Sequence, residues 1–284
     1  MKKYLVIGNP IGHSLSPLIH NHWMKKYGLV DSVYEKKKIE EKDLKNIIKE
    51  IRNDEMVGAN VTVPFKKLII PFLDELDFVA KETQSVNTLF KINNKIVGYN
   101  TDSAGFLDSI KEFYPRSSDS MKPIPLVGKH IFILGAGGVT SSIISALKNE
   151  GANIFLSNRT KEKADELKKL FPEIEVLDWG KRPPFCNIVI NTTSAGLAKD
   201  EEAKIDFSDY DKDFHKNTLF YDLIYNPKET IFLKKARLRG NKIMNGKMMF
   251  LNQAKYAFNI WTNIIPEIDD EVIKLLDWWL KLEF

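Results

Sequence analysis

The run His130-Ile131-Phe132-Ile133-Leu134-Gly135-Ala136-Gly137-Gly138-Val139-Thr140 passes from a short apolar stretch directly into a glycine-rich one. Its pattern predicts a strand over His130 to Leu134, a tight turn over Gly135 to Gly138, and a helix over Val139 to Glu150 stopped by Gly151. A turn so placed suits the pyrophosphate of a dinucleotide. The first glycine permits the sharp bend, the second lets backbone amides come close, and the helix N-terminus adds unpaired N–H groups and a positive dipole end. A Gly-x-Gly alone is common in turns, and Thr140 stands where the usual fingerprint has its third glycine. The strand before and the helix after favour dinucleotide binding by Gly135, Ala136, Gly137, Gly138 and Val139 over a plain structural turn.

A second strand, Asn153 to Ser157, and a helix from Lys161 to Phe171 follow, with strand-like runs at Asn187 to Asn191 and Thr218 to Leu223. This alternation predicts an α/β class with a parallel, doubly wound sheet. About twenty residues past the glycines, an Asp or Glu would hold the ribose hydroxyls of NAD. Here the chain reads Asn158-Arg159-Thr160-Lys161, with Lys163 beyond. Arg159 can pair with a 2′-phosphate that an acidic side chain would repel, so NADP is the expected cofactor. Simple solvent exposure at a helix start is the plainer alternative.

Toward the N-terminus the pattern predicts a strand at Tyr4 to Ile7, a loop over Gly8 to Leu15, and a helix from Pro17, capped by Ser16 and stopped by Gly28. A strand follows at Val57 to Val63, with Pro64 opening a helix. Val86 to Ile92 and Lys95 to Tyr99 flank a turn at Asn93-Asn94, and a helix runs from Ser103 to about Tyr114. Pro115 to Lys129 reads as a linker, rich in Pro and Ser. From about Met249 two helices are expected, the second, Ile268 to Leu282, strongly amphipathic.

The chain of 284 residues has room for two domains at roughly 100–200 residues each. Its 42 basic and 38 acidic residues are interspersed, unlike the basic patch or arm of a nucleic-acid binder. Lys36-Lys37-Lys38, followed by Glu40 and Glu41, reads as a solvated face. A single cysteine, Cys186, excludes an intramolecular disulfide, suits a reducing compartment, and reads as a small buried residue rather than a nucleophile. The apolar run after Met1 is too short for a signal peptide, and no stretch approaches membrane-spanning length. A soluble cytoplasmic protein with no membrane partner is expected. His13 and His20 lack partners at metal-ligand spacing, so no metal site is expected.

Three polar clusters in the first segment resist a purely structural reading: Gly8 to Pro17 with Ser14 and Ser16, Gly58 to Lys66, and Ser85 to Thr88 with Gly98 to Asp102. Two hydroxyls beside a helix N-terminus suit a small carboxylate. Strand alternation sends Asn60 and Thr62 to one face, with Lys66 just past the strand's end. Asp102 alone is equally explained as the N-cap of the helix beginning at Ser103. Together the clusters offer amides and hydroxyls to a polyhydroxylated substrate.

The order of blocks closely resembles that of shikimate dehydrogenases over nearly the whole chain. The blocks are Ser14-Leu15-Ser16-Pro17, Asn60-Val61-Thr62-Val63-Pro64-Phe65-Lys66, Val86-Asn87-Thr88, Asn100-Thr101-Asp102 and Gly135-Ala136-Gly137-Gly138. Asn158-Arg159-Thr160, Asn191-Thr192-Thr193-Ser194, Tyr221 to Pro227 and Gln253-Ala254 complete them. The resemblance implies an NADP-dependent oxidoreductase interconverting 3-dehydroshikimate and shikimate, a step of aromatic amino-acid biosynthesis. It implies Lys66 and Asp102 as catalytic residues and Ser14, Ser16, Asn60, Thr62, Asn87, Tyr225 and Gln253 as substrate contacts. Asn158, Arg159, Thr160 and Lys163 would clamp the 2′-phosphate, Thr192, Ser194 and Leu223 would line the cofactor wall, and Gly246 and Met249 would lie near the nicotinamide. It further implies a catalytic domain made of residues 1–102 and 246–284 and a nucleotide domain of residues 103–245; a monomer or homodimer is expected. One departure stands out: Met248 replaces the second glycine of a usual Gly-x-Gly-Met run, and would be strained were a positive φ required there. Two rivals remain: a quinate/shikimate dehydrogenase using NAD, and a catalytically silent nucleotide-sensing module.

Overall fold

The computed structural model describes residues 1–113, 126–183, 185–197, 202–203, 205 and 217–282; residues 115–125 of the expected linker lie outside them, as does Tyr114. The chain divides into two compact units, Met1–Gly105 with Leu251–Phe284, and Phe106–Phe250.

In the first unit, β1 (Lys2–Gly8), β2 (Ser32–Lys38), β3 (Gly58–Val61), β4 (Glu75–Leu76), β5 (Thr88–Ile92) and β6 (Lys95–Tyr99) form one mixed sheet. Its order is β2-β1-β3-β5-β6-β4. β1 pairs in parallel with β2 and β3, whereas β5 runs antiparallel to β3 and β6. The β5–β6 hairpin closes on Asn93 and Asn94 with φ of 49° and 64°, the two left-handed residues of the tight turn that matches strand twist. Helices α1 (Ser16–Lys26), α2 (Leu44–Arg52), α3 (Phe65–Leu68) and α4 (Phe78–Thr83) connect the strands. α2 buries Leu44, Ile47, Ile48 and Ile51, a helical stripe that joins Leu5, Ile7, Ala59 and Leu89 in one core. The Lys36-Lys37-Lys38 run is solvated as expected, but it lies on β2, an edge strand that the sequence reading passed over. Lysines on an edge discourage pairing with another sheet.

α1 starts at Ser16, with Leu15 at the cap position, so Ser16 is not the N-cap that the sequence suggested. The Leu15 carbonyl already accepts from Leu18 and Ile19, and that moves the helix start one residue forward. Similarly, α5 (Asp102–Phe113) begins with Asp102 inside the helix. Its cap is the Asn100 side chain, whose Oδ1 accepts from the Asp102 and Ser103 amides at 3.0 and 3.3 Å.

In the second unit, β7 (His130–Leu134), β8 (Asn153–Ser157), β9 (Glu175–Leu177), β10 (Ile188–Asn191), β11 (Leu219–Asp222) and β12 (Lys242–Asn245) form a parallel sheet of order β12-β11-β10-β7-β8-β9. α6 (Thr140–Asn149), α7 (Lys161–Leu170) and α8 (Ile231–Leu238) cross between its strands. This is the doubly wound arrangement, its strand order reversing between β7 and β10. One core gathers Ile131, Ile133, Ile143, Leu147 and Leu156, and another contains Phe132, Val189, Phe220 and the buried Cys186.

The last helices, α9 (Lys247–Thr262) and α10 (Asp270–Leu282), belong from Leu251 onward to the first unit. An aromatic cluster seats them. Trp261 lies 5.3 Å from the Tyr4 ring and 6.0 Å from Tyr34, while Phe258 meets Trp23 edge-on at 5.7 Å. Lys26 pairs with Asp269, and the Trp261 indole donates to the Leu89 carbonyl at 3.0 Å. Among the described residues no helix is long and apolar enough to cross a membrane.

Trp261→Phe keeps an aromatic ring but removes the indole N–H and part of the buried volume, leaving a buried strand carbonyl without that donor. A loss of about 1–3 kcal/mol is expected, read as a lower midpoint in thermal melting followed by circular dichroism. An unchanged midpoint would show that the bond contributes nothing net.

Candidate active site

The strand ends of the first unit bring a charged pair together. Lys66, in α3 just beyond β3, donates from Nζ to Asp102 Oδ2 at 2.5 Å. Both side chains are buried, at 11% and 7% exposure, so each charge depends on the other and on hydrogen bonds for its loss of water. Asn87 completes the site: its Nδ2 donates to Asp102 Oδ1 at 3.0 Å and to Thr101 Oγ1 at 2.8 Å. Its Oδ1 accepts from the Thr101 amide at 2.9 Å and the Thr88 hydroxyl at 3.0 Å. Asn87 is thus wholly engaged in holding Asp102 and the start of α5.

Asn60 is similarly committed. Its Nδ2 donates to the Asn87 carbonyl and to Thr88 Oγ1, each at 3.0 Å, and its Oδ1 accepts from the Tyr34 hydroxyl at 2.6 Å. Both of its N–H groups are used, and one acceptor lone pair remains. Thr62 is half-buried, and its hydroxyl has no hydrogen bond among the described residues. Ser14 Oγ donates to Ser16 Oγ at 3.3 Å and accepts from the Ser16 amide at 3.4 Å. Gln253, half-buried on α9, receives the Thr101 hydroxyl on its carbonyl at 3.0 Å.

Tyr34 and Thr101 are site residues that sequence reasoning missed. Tyr34 is the buried position of a strand that otherwise reads as charged, which is the signal that could have found it. Burial pushes its phenol well above the usual range. His20 stacks on it at 4.3 Å and, fully buried, is lowered to about 3, so it stays neutral at working pH. Among the described residues no three His, Cys, Asp or Glu side chains group as metal ligands.

The second unit carries its own set at the carboxyl ends of its strands. Gly135 has φ of 109°, and a Cβ there would meet Thr192 Oγ1 and Thr193 Cγ2 at 2.7 Å, so only glycine fits. Beside Gly137 nothing but the Thr192 carbonyl comes near, at 3.8 Å, which leaves space over the turn. Thr140, in place of a third glycine, accepts from the Gly137 amide at 3.0 Å and pairs with Thr192 Oγ1 at 2.9 Å. Asn158 turns toward the same turn: Oδ1 accepts from the Ala136 amide at 3.0 Å while Nδ2 donates to the Thr160 carbonyl at 2.6 Å. Ala136 and Gly137 have therefore already spent their amides on side chains. Arg159, Thr160 and Lys163 are exposed, and Arg159 has no ion pair among the described residues.

Thr192 and Ser194 follow β10, and Leu223 and Tyr225 follow β11, where Tyr225 stacks on Phe250 at 4.8 Å. Gly246 could not be another residue, because a Cβ would sit 1.9 Å from the Leu223 carbonyl oxygen. Met249 is buried against the core of this unit. Met248 is the second residue of α9, with helical backbone, and lines a surface depression with Ile243, Met244 and Arg237. The conditional strain therefore does not arise. Asp222, which the sequence reading left without a role, is fully buried at the end of β11.

The sequence matches the shikimate dehydrogenase substrate binding domain over residues 6–89 and the shikimate/quinate 5-dehydrogenase family over residues 119–230. It is 50% identical over 277 residues to the shikimate dehydrogenase (NADP(+)) of Pelagibacter ubique, covering 97% of this chain and 99% of that one. Among solved structures, shikimate dehydrogenase from Aquifex aeolicus has a TM-score of 0.83 at 38% identity, with 97% of each chain covered. Shikimate 5-dehydrogenase from Thermus thermophilus, in complex with NADP(H) and shikimate, has a TM-score of 0.83 at 28% identity, with 100% of each chain covered.

Burial raises the Asp222 carboxyl to about 6 against the pull of its hydrogen bonds to Thr230, Ile224 and Asn191. A carboxyl raised in the folded state favours folding most below its unfolded value, and that contribution disappears as pH rises through about 6. Asp222→Asn removes this penalty. Relative to the native protein, its melting midpoint should rise between pH 4 and pH 7.5, by an amount corresponding to at most about 3 kcal/mol at 1.36 kcal/mol per pH unit. A difference that stays constant over that range would mean Asp222 is not destabilised by burial.

Proposed function

The chain belongs to the shikimate dehydrogenase family, and from that premise we propose that it is the NADP-dependent oxidoreductase interconverting 3-dehydroshikimate and shikimate in the pathway to the aromatic amino acids. The observation that carries this reading is the buried Lys66–Asp102 pair, at 2.5 Å, with Asn87 on the free carboxylate oxygen. Bound NADPH supplies the hydride to the ketone carbon. Lys66 gives a proton from Nζ to the ketone oxygen and takes it back in the reverse direction. Asp102 keeps the ammonium aimed, while Asn87 fixes Asp102.

Ser14 and Ser16 turn their hydroxyls to the substrate carboxylate, Ser14 exchanging its 3.3 Å bond to Ser16 for that contact. Thr62, Tyr225 and Gln253 contact the rest of the substrate, and Asn60 offers its remaining lone pair to a ring hydroxyl. The Gly135 to Val139 turn takes the pyrophosphate, and the bend that excludes any Cβ at Gly135 supports this. Because the Ala136, Gly137 and Thr140 amides are internally bonded, the Val139 amide and the positive end of the α6 dipole meet the phosphates. Arg159, exposed and unpaired among the described residues, clamps the 2′-phosphate with Thr160 and Lys163, while Asn158 braces the turn. Thr192, Ser194, Leu223, Gly246 and Met249 form the wall near the nicotinamide. On this reading residues 1–102 and 246–284 are catalytic and residues 103–245 bind nucleotide. We read the protein as a cytoplasmic monomer or homodimer without a membrane partner, and the interspersed charge supports the absence of a nucleic-acid partner.

Absorbance at the nicotinamide band, with purified protein and shikimate, tests the proposal: NADP should be reduced rapidly and NAD far more slowly. Reduction with quinate and not shikimate would transfer the assignment to a quinate enzyme, and binding without turnover to a silent module. Lys66→Ala should lower turnover roughly 10²-fold or more. A folded variant with near-normal turnover would remove Lys66 from the chemistry. Arg159→Gln should raise the KM for NADP by roughly tenfold while leaving that for shikimate alone, as loss of a charge-assisted contact does. Equal discrimination between NADP and NAD before and after the change would refute the clamp.

A further inference from the structure

Four parallel strands of the second unit end in line. Leu134, Asn191, Asp222 and Asn245 are neighbours in register across β7, β10, β11 and β12. In such sheets the ligand lies at the carboxyl ends of the strands, so the loops leaving these residues form its wall. Asp222, with 0% exposure, sits at the centre of that row. One carboxylate oxygen accepts from Asn191 Nδ2 and from the Ile224 amide, both at 3.1 Å; the other accepts from the Thr230 hydroxyl at 2.6 Å. All three partners are neutral.

Each partner leads into a different piece of backbone. Asn191 Nδ2 also donates to the Ala195 carbonyl at 3.2 Å, and its Oδ1 accepts from the Thr193 amide and hydroxyl at 3.1 and 2.6 Å. The loop carrying Thr192 and Ser194 is thereby fixed. Ile224, held by its amide, accepts the Gly246 amide on its carbonyl at 3.1 Å. The loop carrying Leu223 and Tyr225 is thereby joined to the close approach at Gly246. Thr230 caps α8, accepting from the Leu233 amide at 3.4 Å.

We infer that Asp222 is a positioning residue for the cofactor wall, tying the loops after β10 and β11 together so that they present one fixed surface to the nicotinamide end of the nucleotide. The inference rests on the nucleotide site proposed above. Asp222 touches neither nucleotide nor substrate and has no part in the proton transfer by Lys66. An asparagine at 222 can reproduce the arrangement. Its oxygen would accept from Asn191 and Ile224, and its amide would donate to Thr230, whose hydroxyl can act as acceptor. An alanine leaves the Ile224 amide and the Thr230 hydroxyl without that acceptor in a dry interior.

The test is steady-state kinetics on Asp222→Ala, Asp222→Asn and Thr230→Val, with NADPH affinity measured by fluorescence titration and folding by thermal melting. Asp222→Ala should raise the KM for NADP and the Kd for NADPH by roughly tenfold with the KM for shikimate nearly unchanged. Asp222→Asn should bring both back to within about threefold of the native protein, and Thr230→Val should fall between the two. A folded Asp222→Ala with native NADP constants overturns the inference, as does an equal rise in both KM values. If Asp222→Ala does not fold, native NADPH affinity in Thr230→Val overturns it. Should the native protein fail to oxidise shikimate, the proposed function falls, while NADPH titration of the same variants still decides the inference.

Discussion

Lys66 and Asp102 have left water together, and the arrangement of the first unit around them follows from that. A buried ammonium and a buried carboxylate attract each other strongly, yet their attraction offsets desolvation only when the remaining oxygens and protons also find partners. The free oxygen of Asp102 has the Asn87 amide, and Asn87 is held by Thr88 and Thr101. Thr101 bonds the backbone of Gln253, and Asn100 caps α5. Because Asn100 does the capping, the Asp102 side chain is released from the N-cap role that an Asp at a helix start commonly takes. The pair therefore fixes the ends of β3, the start of β5, the start of α5 and one turn of α9 in a single hydrogen-bonded arrangement.

The second unit meets a similar difficulty differently. Asp222 is as deeply buried as Asp102, but only neutral donors surround it. Its carboxyl is accordingly raised to about 6, with burial as the main cause. A carboxylate with a cation beside it has its charge matched and is suited to holding a proton donor. One surrounded by amides and a hydroxyl is suited to holding backbone, because its donors come from the end of β10 and from both ends of the loop between β11 and α8. The two aspartates differ in what stands opposite them.

The outline of the second unit was legible in the sequence because local signals agreed. The apolar strands His130 to Leu134 and Asn153 to Ser157 were read with their observed limits, and β10 and β11 to within a residue at each end. What escaped had ambiguous period or composition. β2 is charged at most positions because it is an edge, and Tyr34 was hidden in it. β12 is an edge strand with no fully buried position and only Ile243 and Met244 apolar, and β4 has two residues, too few for alternation to register. At the site, Lys66 and Asp102 were visible only as residues in ordered blocks. They meet across a sequence separation of 36, through parallel and antiparallel pairing that no local window contains. The role of Asn158 also escaped: its place after β8 suggested the nucleotide's 2′ end, yet its amide is used at the glycine-rich turn 22 residues earlier.

How much of a polar cluster is left for a ligand depends on what the cluster has already used. The sequence offers Asn60, Thr62, Asn87 and Thr101 as apparent equals. In the folded unit Asn87 has all its amide hydrogens and its oxygen engaged, and Asn60 retains a single acceptor position. The Thr62 hydroxyl is uncommitted among the described residues, and Lys66 has ammonium protons beyond the one given to Asp102. A ligand there meets one lone pair, one rotatable hydroxyl and one charged donor. That set accepts from one hydroxyl and donates to a neighbouring oxygen, which is the pattern of a hydroxyl beside a ketone. Selectivity at such a site comes from the groups that internal bonding has removed, since a ligand needing a second fixed amide donor there would leave its own acceptor unpaired.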